Sequence, residues 1–101
     1  MNNQGMMKQL MQMQKELKKT QKELDQEIVT GSGGNGAVEI MLTGTQQFHA
    51  VKIDPERMKN ASAADMEKLI GAAVKDALAK SRKLMADKLG PLGGGLTGLK
   101  T

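Results

Sequence analysis

Apolar residues step along the start of this chain in alternating strides of four and three: Met6, Leu10, Met13, Leu17, Thr20 and Leu24. That spacing draws a single line along an α-helix, the a/d seam of a coiled coil, broken only by Thr20. Lys8, Lys15 and Lys22 recur every seven residues on the opposite side, with Lys18 and Lys19 beside them. One face of the helix therefore requires a protein surface, and the other presents cations to an acidic partner. No proline, and no glycine beyond Gly5, interrupts the stretch. Residues 4–27 are predicted to form one helix, about 35 Å long at ~1.5 Å per residue. Glu16, Glu23, Asp25 and Glu27 are interleaved with the lysines. A pair such as Lys19–Glu23 is expected to neutralise part of the charge and leave the basic portion in the first half of the helix.

Size makes the seam more demanding. A chain of 101 residues is one small domain, for which a lone core is marginal. Phe48 is its only aromatic residue, whereas methionine occurs nine times. The remaining apolar material suits helix packing, and an oligomer is the natural way to bury more of it. The formal net charge of +4 and a pI near 9.5 favour an acidic partner. Zero cysteines exclude a disulfide framework and any thiolate metal site, and fit a reducing compartment. The start is polar (Asn2, Asn3, Gln4), and no apolar run approaches the roughly 18 residues needed to span a bilayer. A soluble, cytoplasmic protein is expected.

After the helix the period changes. Ile28, Val29 and Thr30 are β-branched, and Gly31-Ser32-Gly33-Gly34-Asn35-Gly36 follows. This glycine-rich stretch reads as a hairpin connection, with Asn35-Gly36 suited to a type I′ turn. A phosphate cradle is disfavoured, because neither a Lys-Ser/Thr pair nor a helix start comes next. Val38, Ile40 and Leu42 alternate with more polar neighbours in a half-buried strand, and Gly44 marks a turn. A third strand is predicted over residues 46–53, with Val51 and Ile53 on one face. Phe48 has the opposite parity, which calls for a bulge or a two-sided strand. Asp54-Pro55 closes it with a capped turn. Ser62 and Asp65 form a capping box that opens a second long helix, whose apolar face runs from Met66 to Met85. Its alanines and Gly71 are read as sites of close approach, which offsets the roughly 1 kcal/mol that glycine costs within a helix. Beyond Lys75 the helix turns basic, and Gly90-Pro91 ends it.

These elements define an α+β, α-β-β-β-α subunit with a three-stranded antiparallel meander and two long helices. Residues 1–5 are expected to be flexible, residues 6–90 to form the single domain, and the glycine-rich residues 91–101 to be disordered. Helices of about 35 Å overhang a sheet whose strands span only ~20 Å. Their uncovered apolar stripes and an exposed sheet edge favour a symmetric dimer. Catalysis has little to work with. His49 is the lone histidine, Ser32, Ser62 and Ser81 stand apart from any base, and no His–carboxylate cluster is spaced for a metal. No enzyme activity, cofactor, metal or small-molecule substrate is therefore expected.

Four strings in order, MMKQLMQMQKELKKTQKEL, GSGGNGAVEIMLTG, VKIDPE and MEKLIGAAVKDALAKSRKLMADKLG, cover nearly all of residues 6–90. Together they resemble the YbaB/EbfC family of bacterial nucleoid-associated DNA-binding proteins. The resemblance implies an intertwined homodimer whose projecting helical arms grip duplex DNA with little sequence demand. It also implies a nucleoid location in the cytoplasm and an influence on chromosome organisation and gene expression. Carried onto this chain, the DNA contacts fall to Lys8, Lys15, Lys18, Lys19, Lys22, Lys80, Arg82 and Lys83. The dimer and core seam falls to Met6, Leu10, Met13, Leu17 and Leu24. Gly71 departs from the pattern, standing where a larger apolar residue is expected.

The residues support duplex DNA on their own terms. Lysine ammonium groups suit phosphates, and phosphate contacts carry little sequence information. Few Arg, Asn or Gln on the second helix argues against bidentate base reading, and the lack of aromatics argues against base-stacking modules for single strands or RNA. The alternative is a coiled-coil protein–protein adaptor or chaperone-like protein, whose methionine-rich face accommodates varied partners. Attachment to a membrane surface is weaker still, since the apolar face of the first helix lacks Trp and Phe.

Overall fold

The computed structural model describes residues 3–90. Helix α1 spans Asn3–Gln26, strands β1, β2 and β3 span Ile28–Gly33, Val38–Thr43 and Phe48–Ile53, and helix α2 spans Ala63–Leu89. The strands form one antiparallel sheet in the order β1-β2-β3, so the expected α-β-β-β-α meander is the observed fold. The glycine-rich tail expected over residues 91–101 lies outside the described residues.

Strand β1 continues three residues beyond its β-branched start. Gly31, Ser32 and Gly33 belong to the ladder, opposite Ile40, Glu39 and Val38, and not to the connection expected there. The cause is α2, which packs over β1 and β2. A Cβ on Gly31 would overlap the Ala73 carbonyl oxygen and the Ala77 amide nitrogen, and one on Gly33 would overlap the Leu69 carbonyl oxygen. Ala73 and Ala77 are fully buried at this crossing. The glycines are a notch that lets helix backbone rest on strand backbone. The connection shrinks to residues 34–37, with left-handed φ of 62° at Gly34, 55° at Asn35 and 93° at Gly36. Within it the Ala37 amide donates to the Gly34 carbonyl at 3.2 Å across Asn35-Gly36, the tight turn expected at that pair, and the Arg57 guanidinium pins the loop by donating to the Asn35 carbonyl at 2.6 Å.

The core is the face of Val38, Ile40 and Leu42, closed by Met58, Ala73 and Ala77. Strand β3 carries the expected bulge. Met41 pairs with Ala50 and Leu42 with Phe48, leaving His49 as the extra residue. Directly paired residues share a face. The bulge therefore turns Phe48 to the same side as Val51 and Ile53, which pair with Ile40 and Val38. All three apolar side chains continue the core face yet remain exposed, because α2 stops short of covering them.

Both ends of α2 follow from local sequence. Ser62 Oγ accepts from the Asp65 amide at 3.1 Å, completing the capping box, and Gly90 caps the other end. Before it, Asp54 Oδ1 accepts from the Glu56 amide at 3.0 Å and organises the Pro55 turn. Gly71 is a correction. It is exposed, and among the described residues nothing lies within 4 Å of where its Cβ would stand, so it permits no close approach there. The buried alanines supply that approach instead.

Among the described residues, helix α1 is anchored only at its base. The Gly44 amide donates to the Leu24 and Glu27 carbonyls at 2.8 and 3.0 Å, and Thr45 Oγ1 donates to Asp25 Oδ1 at 2.6 Å. Thr20 and Leu24 are buried, whereas residues 4–19 are exposed throughout. The result is a slender body of 72 × 28 × 16 Å with a bare helical arm.

Two glycine substitutions should act in opposite directions. Gly31→Ala forces helix and strand apart and should cost about 3 kcal/mol, the upper part of the usual overpacking range. Gly71→Ala relieves only the helical penalty and should stabilise by about 1 kcal/mol. Urea denaturation of both variants beside the wild type measures the two effects.

Candidate nucleic-acid interface

The arm sorts its side chains by face. Lys8, Lys15, Lys18, Lys19 and Lys22 are all exposed. Lys8, Lys15 and Lys22 succeed one another at about 10.5 Å along the helix axis. A shallow groove bordered by Met11, Gln12 and Gln14 holds Lys8, Lys15 and Lys18 along its rim. Glu16 borders a different groove, beside Met6, Leu10 and Met13. The expected Lys19–Glu23 pair is not formed. Glu23 faces Lys88 of α2 at 3.9 Å, and Lys88 also reaches Glu27 at 3.5 Å. Among the described residues, none of the five arm lysines joins an ion pair. The charge on the arm is therefore less compensated than the sequence implied.

The seam is divided by burial. Exposure falls from 66 % at Met6 through 58 % at Leu10, 51 % at Met13 and 38 % at Leu17 to 2 % at Leu24. Leu24 belongs to the subunit's own interior, while the other four side chains face outward. Thr20, which interrupted the apolar pattern, is buried at the base.

The three candidates on α2 part company. Arg82 and Lys83 are exposed and outside any ion pair among the described residues. Lys80 is committed elsewhere: its Nζ lies 3.1 Å from Asp76 Oδ2 and donates to the Thr30 carbonyl at 2.9 Å. Asp76 Oδ2 in turn accepts from the Ser32 amide at 2.9 Å. Thr30 and Ser32 lie on the outer edge of β1, so this side-chain pair occupies groups that would otherwise invite another strand. The Ser32 amide, helped by Lys80, holds the Asp76 carboxyl below its ordinary value of 3.8.

Lys68 and Lys75 are not among the DNA contacts expected from the sequence. Both are exposed, and with Arg82 they recur every seven residues along α2, the periodicity that marked the lysines of the arm. His49 is exposed in the bulge of β3, and Ser81 is buried with its hydroxyl donating to the Leu78 carbonyl at 3.0 Å. Among the described residues no group of His, Cys, Asp or Glu is placed to hold a metal ion. Nor is any described helix long and apolar enough to cross a membrane.

The profile of the YbaB/EbfC DNA-binding family matches residues 1–96. The chain belongs to that family. A nucleoid-associated protein of Dictyoglomus turgidum is 41 % identical over 90 residues, covering 89 % of this chain and 86 % of the relative. One from Chloroflexus aurantiacus is 33 % identical over 99 residues, covering 98 % and 99 %. The fold also matches the crystal structure of an uncharacterised protein from Helicobacter pylori. The TM-score is 0.73 at 18 % identity, over 86 % of this chain and 91 % of that one. The family is a DNA-binding one.

The Asp76 clamp has a pH signature. A carboxyl whose value is lowered by folding adds stability above the unfolded value and loses it as pH falls through the folded one. Thermal melts should therefore show Asp76→Ala losing less stability than the wild type as pH drops below about 3.8. Parallel acid profiles for the two proteins would remove this role from Asp76.

Proposed function

We propose that this protein is a nucleoid-associated DNA binder that acts as a homodimer and holds duplex DNA mainly through its phosphates. The observation that carries this reading is the lysine face of the arm, which among the described residues joins no ion pair and is left uncovered. Lysine acts as a mobile point charge, so binding is sequence-tolerant. The names of its relatives, nucleoid-associated proteins, support placement on the cytoplasmic nucleoid and a part in chromosome organisation and gene expression. Residues 6–90 constitute the binding domain.

Dimerisation is supported from two directions. A helical stretch of about 15 residues with no tertiary contact is marginal in water, yet residues 4–19 form such a stretch with Met6, Leu10, Met13 and Leu17 in line. Phe48, Val51 and Ile53 add a second uncovered apolar surface beside the core. A two-fold pair of copies covers both with one self-complementary contact, intertwines the subunits and leaves the lysine arms projecting. The same methionine-rich seam keeps an adaptor for other proteins as the second reading.

With about six phosphate contacts, the slope of log affinity against log salt should be near −5. Fluorescence anisotropy with duplexes of unrelated sequence checks this, and a flat salt response would count decisively against the proposal. Replacing Lys15, Lys19 and Lys22 by Glu together should weaken binding to every duplex while light scattering still gives two copies. Protein partners captured at moderate salt after nuclease treatment would favour the adaptor.

A further inference from the structure

The outer face of α2 carries a second, straighter row of cations. Lys68, Lys75 and Arg82 are exposed, and among the described residues none of them joins an ion pair. They stand about 10.5 Å apart along the axis and drift only ~20° per step around it. The row thus runs about 21 Å, a length over which duplex DNA carries a phosphate charge every ~1.7 Å of its axis. Between them the surface is low, since Gly71, Ala72 and Ala79 are all exposed.

The acids of α2 are kept off this row. Asp65 is held in the capping box and Asp76 is bound to the Ser32 amide at the edge of β1. Glu67 and Asp87 lie about 100° around the helix from Lys68. From Lys75 to Arg82 the face thus has one sign of charge, although the sequence of α2 alternates acids and bases, while Asp65, about 60° around the helix from Lys68, borders the row at its start.

Gly71 adds an independent indication. A glycine within a helix costs about 1 kcal/mol relative to alanine, and nothing among the described residues uses the space it leaves. A surface arriving from outside can use it.

We propose that this face of α2 is a second phosphate track, separate from the arm. Lys68, Lys75 and Arg82 each meet a backbone phosphate of duplex DNA, and Gly71 and Ala72 form the floor on which the strand rests. This rests on the DNA-binding reading and extends it to a surface of the subunit body.

The test uses the full-length protein with duplex DNA across a salt series. Changing Lys68, Lys75 and Arg82 together to Gln keeps helix-forming side chains but removes three contacts per subunit, so the log–log slope should become shallower by about 2.7 for each subunit whose track meets the duplex. Gly71→Leu should weaken binding with the slope unchanged, Gly71→Ala should do so to a smaller extent, and circular dichroism reports the fold of each. If the Gln variant keeps the wild-type slope and affinity while Glu at Lys15, Lys19 and Lys22 abolishes binding, the second track is wrong and the DNA-binding reading stands. If the unaltered protein fails to bind duplex DNA, both are wrong.

Discussion

Backbone meets backbone where α2 crosses β1, and most of the architecture depends on that contact. With Gly31 and Gly33 on the strand and Ala73 and Ala77 on the helix, no side chain holds the two apart. A helix seated this closely cannot also reach across a three-stranded sheet. It covers β1 and β2, which leaves Phe48, Val51 and Ile53 on the same face without cover. The proximity also brings Asp76 and Lys80 to the outer edge of β1, where they satisfy Ser32 and Thr30. One edge of the sheet is thereby blocked by the subunit's own helix. Open apolar surface is concentrated on β3 and on the arm.

This arrangement explains how a small, aromatic-poor chain can be both sparing in its core and rich in exposed function. The interior is built from β2 and the alanines of α2, with little bulk in it. Most of the large apolar side chains outside that core are on the outside of the subunit, in places a second copy is suited to cover. Acids are meanwhile drawn into structural duties. Asp54 and Asp65 cap, Asp76 guards an edge, and Glu23 and Glu27 face Lys88 at the base of the arm. Many of the cations are left with fewer internal partners than composition implies. A modest net charge thus leaves a row of exposed cations on each helix outside any ion pair among the described residues.

Periodicity made the two helices, β2 and the bulge of β3 legible, because each repeats a pattern of 3.6 or two residues that burial imposes. The capping box at Ser62 was equally readable, being a local exchange of hydrogen bonds. The glycine run was misread in part. Gly31 and Gly33 look like turn residues, since a strand position emptied for a helix backbone leaves no mark distinguishing it from a flexible loop. Gly71 misled in the opposite sense, as its neighbours Ala73 and Ala77 are the ones that touch the strand. Among the candidate site residues, Lys80 could not be separated from Arg82 and Lys83 by sequence, because only the fold brings the Thr30 carbonyl within its reach.

By itself, then, the sequence determined the kind and order of elements, the opposition of an apolar seam to a lysine face, and the family to which the chain belongs. These depend on interactions a few residues apart, which spacing encodes directly. Tertiary structure alone decided which charges are spent inside the subunit, how far α2 reaches over the sheet, and where along the seam burial begins. Those outcomes turn on contacts between residues dozens of positions apart, and local pattern carries no record of them.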